Sequence, residues 1–319
     1  MANESLAKAP FLAVGAAPHW HCGRTIHGMM RDYLIALMPA VAMAVYMYGL
    51  DALRVMALSC VTAVVIEAVC LKAMERDVTV DDNSALLQGL LLAFLLPASA
   101  PWWLVILGSA FTILLGRLVF GGLGANPVCA PLVGWAILSI SWKLEMDIDA
   151  AMLNTMLVNP LTQLKYFGAQ KVADISYTGL LAGQQLGALG SSQVGALLLG
   201  GIYLLVRRTV RWQLPAAFFG GVLLISGIFY AIDSSQYASP LFHLLTGSVV
   251  FGAFFLVTDS SSSPVGKAAM VIFGLLAGGM VVTIRVYGMY PDGVPFAILL
   301  ANMTSPLLDM IRPKPFGAR

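Results

Sequence analysis

Charge is what this chain of 319 residues has least of. Its Asp, Glu, Lys and Arg residues together make up 11% of the composition, against about 25% in a soluble globular domain. A deficit of that size excludes a protein with water on every side. The net charge of +2 is spread between apolar segments and forms no basic patch, which excludes nucleic acid as a partner. Cysteine is scarce too. Cys22, Cys60, Cys70 and Cys129 show no CxxC spacing, and Cys60 and Cys70 share one apolar run, so there is no disulfide framework and no zinc or iron–sulfur motif. His19, His21 and Cys22 crowd three candidate ligands into four residues and cannot close a tetrahedral site alone, so no metal is expected. The first 30 residues lack an apolar core of signal-peptide type, which places the N-terminus in the cytoplasm.

What is present is apolar surface: 59% hydrophobic residues and a mean hydropathy of +0.84. The runs predict an all-α polytopic membrane protein of about ten transmembrane helices. An N-terminal segment (1–31) precedes a first five-helix half (32–142). A loop (143–192) joins it to a second five-helix half (193–311), and a short basic end (312–319) follows. Two segments, 84–97 and 102–116, are short for a span. Gly121–Pro127 and Tyr287–Gly293 are too rich in glycine and proline for regular helix. With the N-terminus inside and ten crossings, 13 of the 18 lysines and arginines fall on the cytoplasmic side. The positive-inside rule therefore puts both termini in the cytoplasm and the central loop outside.

The halves resemble each other. Ala85-Leu86-Leu87-Gln88-Gly89 parallels Leu244-Leu245-Thr246-Gly247-Ser248, Pro101 parallels Pro264, and each glycine-rich break precedes the fifth span of its half. An odd number of spans makes such a repeat inverted, and inverted repeats with broken helices hold their sites at the repeat interface. This architecture alone predicts a transporter or channel without naming a cargo. Asn126 in the first break, and Arg285 and Asp292 flanking the second, are candidate contacts to a ligand or ion, or hydrogen-bonded turn residues. His243 and Thr246 are candidates of the same kind, or helix caps. Glu67 and Asp32 are candidate ion-pathway carboxylates, Glu67 being costly inside a membrane unless paired.

Several strings resemble the RnfD/NqrB family, membrane subunits of the Rnf electron-transport complex and of the sodium-pumping NADH:quinone reductase. Toward the N-terminus they are Pro18-His19, Thr25, Met30-Arg31-Asp32 and Ala36-Leu37-Met38-Pro39-Ala40. In the second half they are His243-Leu244-Leu245-Thr246-Gly247, Val257-Thr258-Asp259, Tyr290-Pro291-Asp292-Gly293-Val294 and Leu299-Leu300-Ala301-Asn302. The chain is most like the RnfD branch of the family, and the likeness covers nearly its whole length. It implies a subunit that relays electrons between reduced ferredoxin and NAD-linked partners and couples this to Na⁺ or H⁺ movement. It also implies FMN joined through its phosphate to a threonine by a flavin transferase, a second noncovalent riboflavin, and other membrane and peripheral Rnf subunits as partners.

The family's flavin-acceptor pattern, Ser/Thr-Gly-Ala-Thr after an aspartate, matches Asp174-Ile175-Ser176-Tyr177-Thr178-Gly179 with Gly-Ala replaced by one tyrosine. The match makes Thr178 the candidate acceptor, with Ser176 as the alternative hydroxyl. Gly179 would let a phosphate approach the backbone, and Lys165 and Lys171 would offset its charge. The alternative from another class is a small-solute channel or transporter on the same scaffold.

Overall fold

The computed structural model describes residues 25–76, 80–147, 159–172, 175–234 and 236–311. Asp174, His19, His21, Cys22 and the basic end therefore lie outside the described residues.

The described residues contain helices and turns and no strand. The first half runs α1 (Ile26–Tyr48), α2 (Leu50–Ala73), α3 (Ser84–Leu95), α4 (Trp102–Leu114) and α5 (Ala130–Ser141). Three short loop helices follow: α6 (Pro160–Phe167), α7 (Ala169–Val172) and α8 (Tyr177–Leu181). The second half runs α9 (Val194–Val206), α10 (Gln213–Ile232), α11 (Pro240–Leu245), α12 (Val249–Phe251, continuing as a π-turn over Gly252–Leu256), α13 (Lys267–Tyr287) and α14 (Val294–Leu308). Five stretches among the described residues are long and apolar enough to cross a membrane unaided: α1, α2, α4 extended to Phe120, α10 and α13. The other apolar helices are shorter, so the protein is a multi-pass, all-α membrane protein built with broken helices.

Local chemistry sets these elements. Thr25 caps α1, its hydroxyl accepting from the Gly28 N–H at 3.1 Å. Gly49, at φ +65°, turns the chain directly from α1 into α2, a left-handed conformation that only glycine adopts freely. Between α3 and α4, Pro97 and Pro101 break the helix, since neither can donate a backbone bond. Small residues then let helices close on one another. A Cβ on Gly278 would lie 2.1 Å from the Phe218 carbonyl, which is why α10 packs along α13. In the first half α2 lies along α3 and α4.

The two ends of the bundle are fixed by contacts. At the terminal end, His27 at the start of α1 meets the Asp81 carbonyl through Nδ1 at 2.8 Å, and Asn83 lies beside it. At the loop end, the Tyr48 hydroxyl at the close of α1 meets Ser192 Oγ at 2.7 Å. The core runs between them, with Phe94, Phe218, Phe251, Phe255 and Phe273 fully buried.

Candidate functional site

Each half contains an arginine knot, at the start of α3 in the first half and at the break between α11 and α12 in the second. In the first, Asp82 accepts from the N–H and hydroxyl of Ser84, at 2.8 and 2.5 Å. Arg117 donates to Ser84 Oγ at 2.7 Å and pairs with Glu67 at 3.0 Å. In the second, Asp292 accepts from the N–H of Ser248 at 2.8 Å and from its hydroxyl. Arg285 pairs with Asp292 at 3.1 Å and donates to the carbonyls of His243 and Thr246 at 2.7 and 2.8 Å. Both arginines sit at the far end of the helix that follows the broken one. The knots lie at opposite ends, the first beside His27 and the second beside the loop, as an inverted repeat requires.

The candidate residues therefore separate. His243, Thr246, Arg285 and Asp292 come together at the loop end, joined by Arg285. Asn126 lies elsewhere: its amide donates to the Val128 carbonyl at 3.0 Å and to Asp259 at 3.4 Å. Asp259 also accepts from Ser261 and Ser262. Glu67 is held by Arg117. Asp32 is buried and accepts from Tyr203, Arg207 and Thr209 at 3.4, 3.3 and 3.2 Å, tying α1 to the end of α9. The Asp32 bond holds the Arg207 guanidinium above its ordinary pKa. No group of three metal-ligand side chains occurs among the described residues.

Thr178 and Ser176 are exposed, and their hydroxyls lie 2.7 Å apart. Ser176 stands at the N-cap of α8. Leu180 on the other side of that helix is buried with Leu161, Val172 and Phe242, and Tyr177 meets Ser239 Oγ at 2.8 Å. The hydroxyl pair is thus fixed to the bundle from one side and open to solvent on the other. Lys171 is exposed. Lys165 instead donates to the Gly288 carbonyl in the second break, and partial burial lowers its pKa.

A cavity of about 300 Å³ opens at this end. Its walls come from the end of α3 (Leu95, Pro97), from α5 (Trp135, Ser139), from α6, from the loop segment 185–191 and from the second break. It lies at the interface of the two halves. Asp292 is on its lining and its side chain is 28% exposed; the Arg117 and Glu67 side chains are 3% and 2% exposed.

The loop segment 183–193 enters the interior. Leu189 and Gly190 donate their N–H groups to the carbonyls of Leu96 and Phe94, at 3.1 and 2.7 Å. They supply the partners that α3 loses by ending inside the protein. Gly190 is required there, since a Cβ would stand 2.9 Å from the Phe94 carbonyl and 3.3 Å from the Phe251 ring. The expectation from sequence was an exposed loop throughout this stretch. The available signal was charge: none falls between Asp174 and Arg207.

Residues 13–317 match the family described as NQR2, RnfD, RnfE. The chain belongs to that family. The D-type subunit of the Na⁺-translocating ferredoxin:NAD⁺ oxidoreductase complex of Acetobacterium woodii is 36% identical, over 93% of this chain and 92% of the relative. The D-type subunits of the ion-translocating oxidoreductase complexes of Salmonella paratyphi A and Cronobacter sakazakii are each 34% identical, over 96% of this chain and 98% and 99% of theirs. The resemblance in the strings quoted above is thus borne out along nearly the whole chain.

Proposed function

We propose that this protein is the flavin-carrying RnfD component of an Rnf complex, relaying electrons between reduced ferredoxin and NAD-linked partners while Na⁺ or H⁺ crosses the membrane. The observation that carries the reading is similarity to D-type subunits over more than nine-tenths of both chains. The membrane is the bacterial inner membrane, with both termini cytoplasmic and the central loop outside, following the distribution of lysine and arginine. Iron–sulfur and nucleotide sites belong to partner subunits, and lipid surrounds the spans.

Thr178 fits as the acceptor for FMN. Its hydroxyl is exposed to a flavin transferase, and the neighbouring Ser176 hydroxyl at 2.7 Å is placed to hydrogen-bond a phosphoryl oxygen. Flavin supplies the capacity to take and give electrons singly or in pairs. The chain's own part is to hold the attachment helix, through Leu180 and Tyr177, against the loop end of the bundle. Lys171 and the backbone at Gly179 offset and approach the phosphate charge. A noncovalent riboflavin is a second cofactor of the same reading.

The test is in-gel flavin fluorescence of the denatured protein after expression with its transferase, with peptide mass spectrometry across 172–193. A fluorescent band that vanishes in Thr178→Ala, with the mass of FMN on Thr178, is the expected result. A dark wild-type band removes the covalent site. The inter-repeat cavity also favours a second reading, a small-solute transporter; such a protein purifies colourless and works without partner subunits.

A further inference from the structure

We infer that a cleft between α1 and α9, on the lipid-facing side of the loop end, is a seat for a diacyl phosphatidylethanolamine. One acyl chain lies in the cleft, and the ester carbonyl and ammonium of the lipid meet the side chain of Gln193. The inference is independent of any flavin.

The cleft follows from how the two helices meet. The Tyr48–Ser192 bond at one end and the Asp32–Arg207 pair at the other fix α1 and α9 antiparallel. Midway they touch: a Cβ on Gly200 would stand 2.1 Å from the Ala36 carbonyl. Just beyond, toward the loop end, α1 contains Pro39, which has no N–H for the Ile35 carbonyl and crowds it. From that level outward a cavity of about 400 Å³ lies between the helices. Pro39, Ala42 and Met43 line it from α1, and Ala196 and Leu199 from α9. The close of α8, at Leu181 and Ala182, and the side chain of Gln193 complete it. Its mouth faces lipid. α1 is a membrane span, and Tyr46 and Leu199 at the rim are exposed, Tyr46 by 83%. Tyr46 stands two residues from the end of α1, where tyrosines mark the headgroup level.

Gln193 is the one polar side chain of the lining other than Tyr46. It is 1% exposed, stands at the N-cap of α9 without capping it, and neither its Nε2 nor its Oε1 has a hydrogen-bond partner. Buried amides are normally paired on both atoms. The occupant is therefore apolar over most of its length and offers an acceptor and a donor at one end. A diacyl phosphatidylethanolamine meets both demands: its ester carbonyl accepts from Nε2, and its ammonium donates to Oε1. The depth agrees, since ester groups lie where the hydrocarbon core gives way to headgroups. A partner's helix fits less well. It is about 10 Å wide, too broad to enter between helices that touch at Gly200, and its backbone groups are already paired.

The experiment is native mass spectrometry of the delipidated full-length protein, titrated with three lipids of equal chain length. They are a diester phosphatidylethanolamine, its diether analogue, and a diester phosphatidylcholine, whose methylated ammonium cannot donate. Ala196→Phe fills the slot, so the lipid equivalent that this variant loses reports the cleft. There the diester phosphatidylethanolamine binds about fivefold more tightly than either of the others, each of which forfeits one hydrogen bond. Gln193→Leu binds the three alike. The assembled complex retains the lipid; its loss on assembly would mean that a partner segment fills the slot, and would overturn the inference. A wild type that binds ester and ether lipids equally would overturn it too, and that comparison needs no variant to fold. So would Gln193→Leu that elutes as a folded monomer and keeps the preference.

Discussion

The two arginine knots use the same parts for different ends. Each joins an arginine, a carboxylate and a serine at the start of a short helix, Ser84 at α3 and Ser248 at α12. In the first, Arg117 and Glu67 are sealed from solvent, with Asp82 completing a closed set. In the second, Arg285 is equally buried, but Asp292 faces the cavity. A buried ion pair is weak evidence for stability gained but strong evidence for stability lost when one partner goes. The difference therefore teaches where sequence variation will be felt as folding and where as function: the sealed knot holds the first half together, and the open knot shapes a site.

The comparison breaks most readily at the sealed knot. Arg117→Ala strands Glu67 without its cation, and a loss of about 3–5 kcal/mol follows; heat-survival of the detergent-solubilised protein, read by size-exclusion chromatography, should collapse. Arg285→Ala is milder, about 2–3 kcal/mol, because two carbonyls lose a donor while Asp292 keeps access to water and to Ser248. A fall as large as that of Arg117→Ala would erase the distinction between the knots. Gly190→Ala sharpens the comparison from outside them. It presses a methyl against Phe94 and Phe251 and should cost about 1–3 kcal/mol by overpacking, with limited proteolysis cutting the 183–193 segment sooner. Arg207→Ala comes last: the guanidinium is exposed, Asp32 retains Tyr203 and Thr209, and the melting midpoint should not move measurably.

Much of the fold was legible because membranes enforce a simple rule. A span must be apolar and satisfy its own backbone, so apolar runs, prolines and glycine-rich breaks mark helices and their ends. The short segment at 84–97 and the breaks at 121–127 and 287–293 declared themselves this way. Of the faint string parallels, Ala85–Gly89 falls in the first turns of α3, whereas Leu244–Ser248 covers the end of α11 and the break before α12, so the strings do not set Ser84 opposite Ser248. Pairing was harder to read. Glu67 and Asp32 looked alike as lone carboxylates, because their partners Arg117 and Arg207 lie 50 and 175 residues away. The interior course of 183–193 was hidden by its small polar residues, Ser191, Ser192 and Gln193, which read as loop, while the contacts that hold it inside are made by the backbone N–H groups of Leu189 and Gly190. Gln193 carried no signal of its own, since a glutamine before a helix is ordinary and only its missing partners are informative.

The most direct test of the asymmetry between the knots uses Glu67→Gln and Asp292→Asn in the assembled complex. Ferredoxin-driven NAD⁺ reduction is measured in membranes and normalised to the amount of this protein present. The account predicts that Glu67→Gln lowers the amount of protein and leaves turnover per copy intact. It predicts that Asp292→Asn leaves the amount intact and lowers turnover. The reverse pattern, or an equal fall in turnover for both, would contradict it.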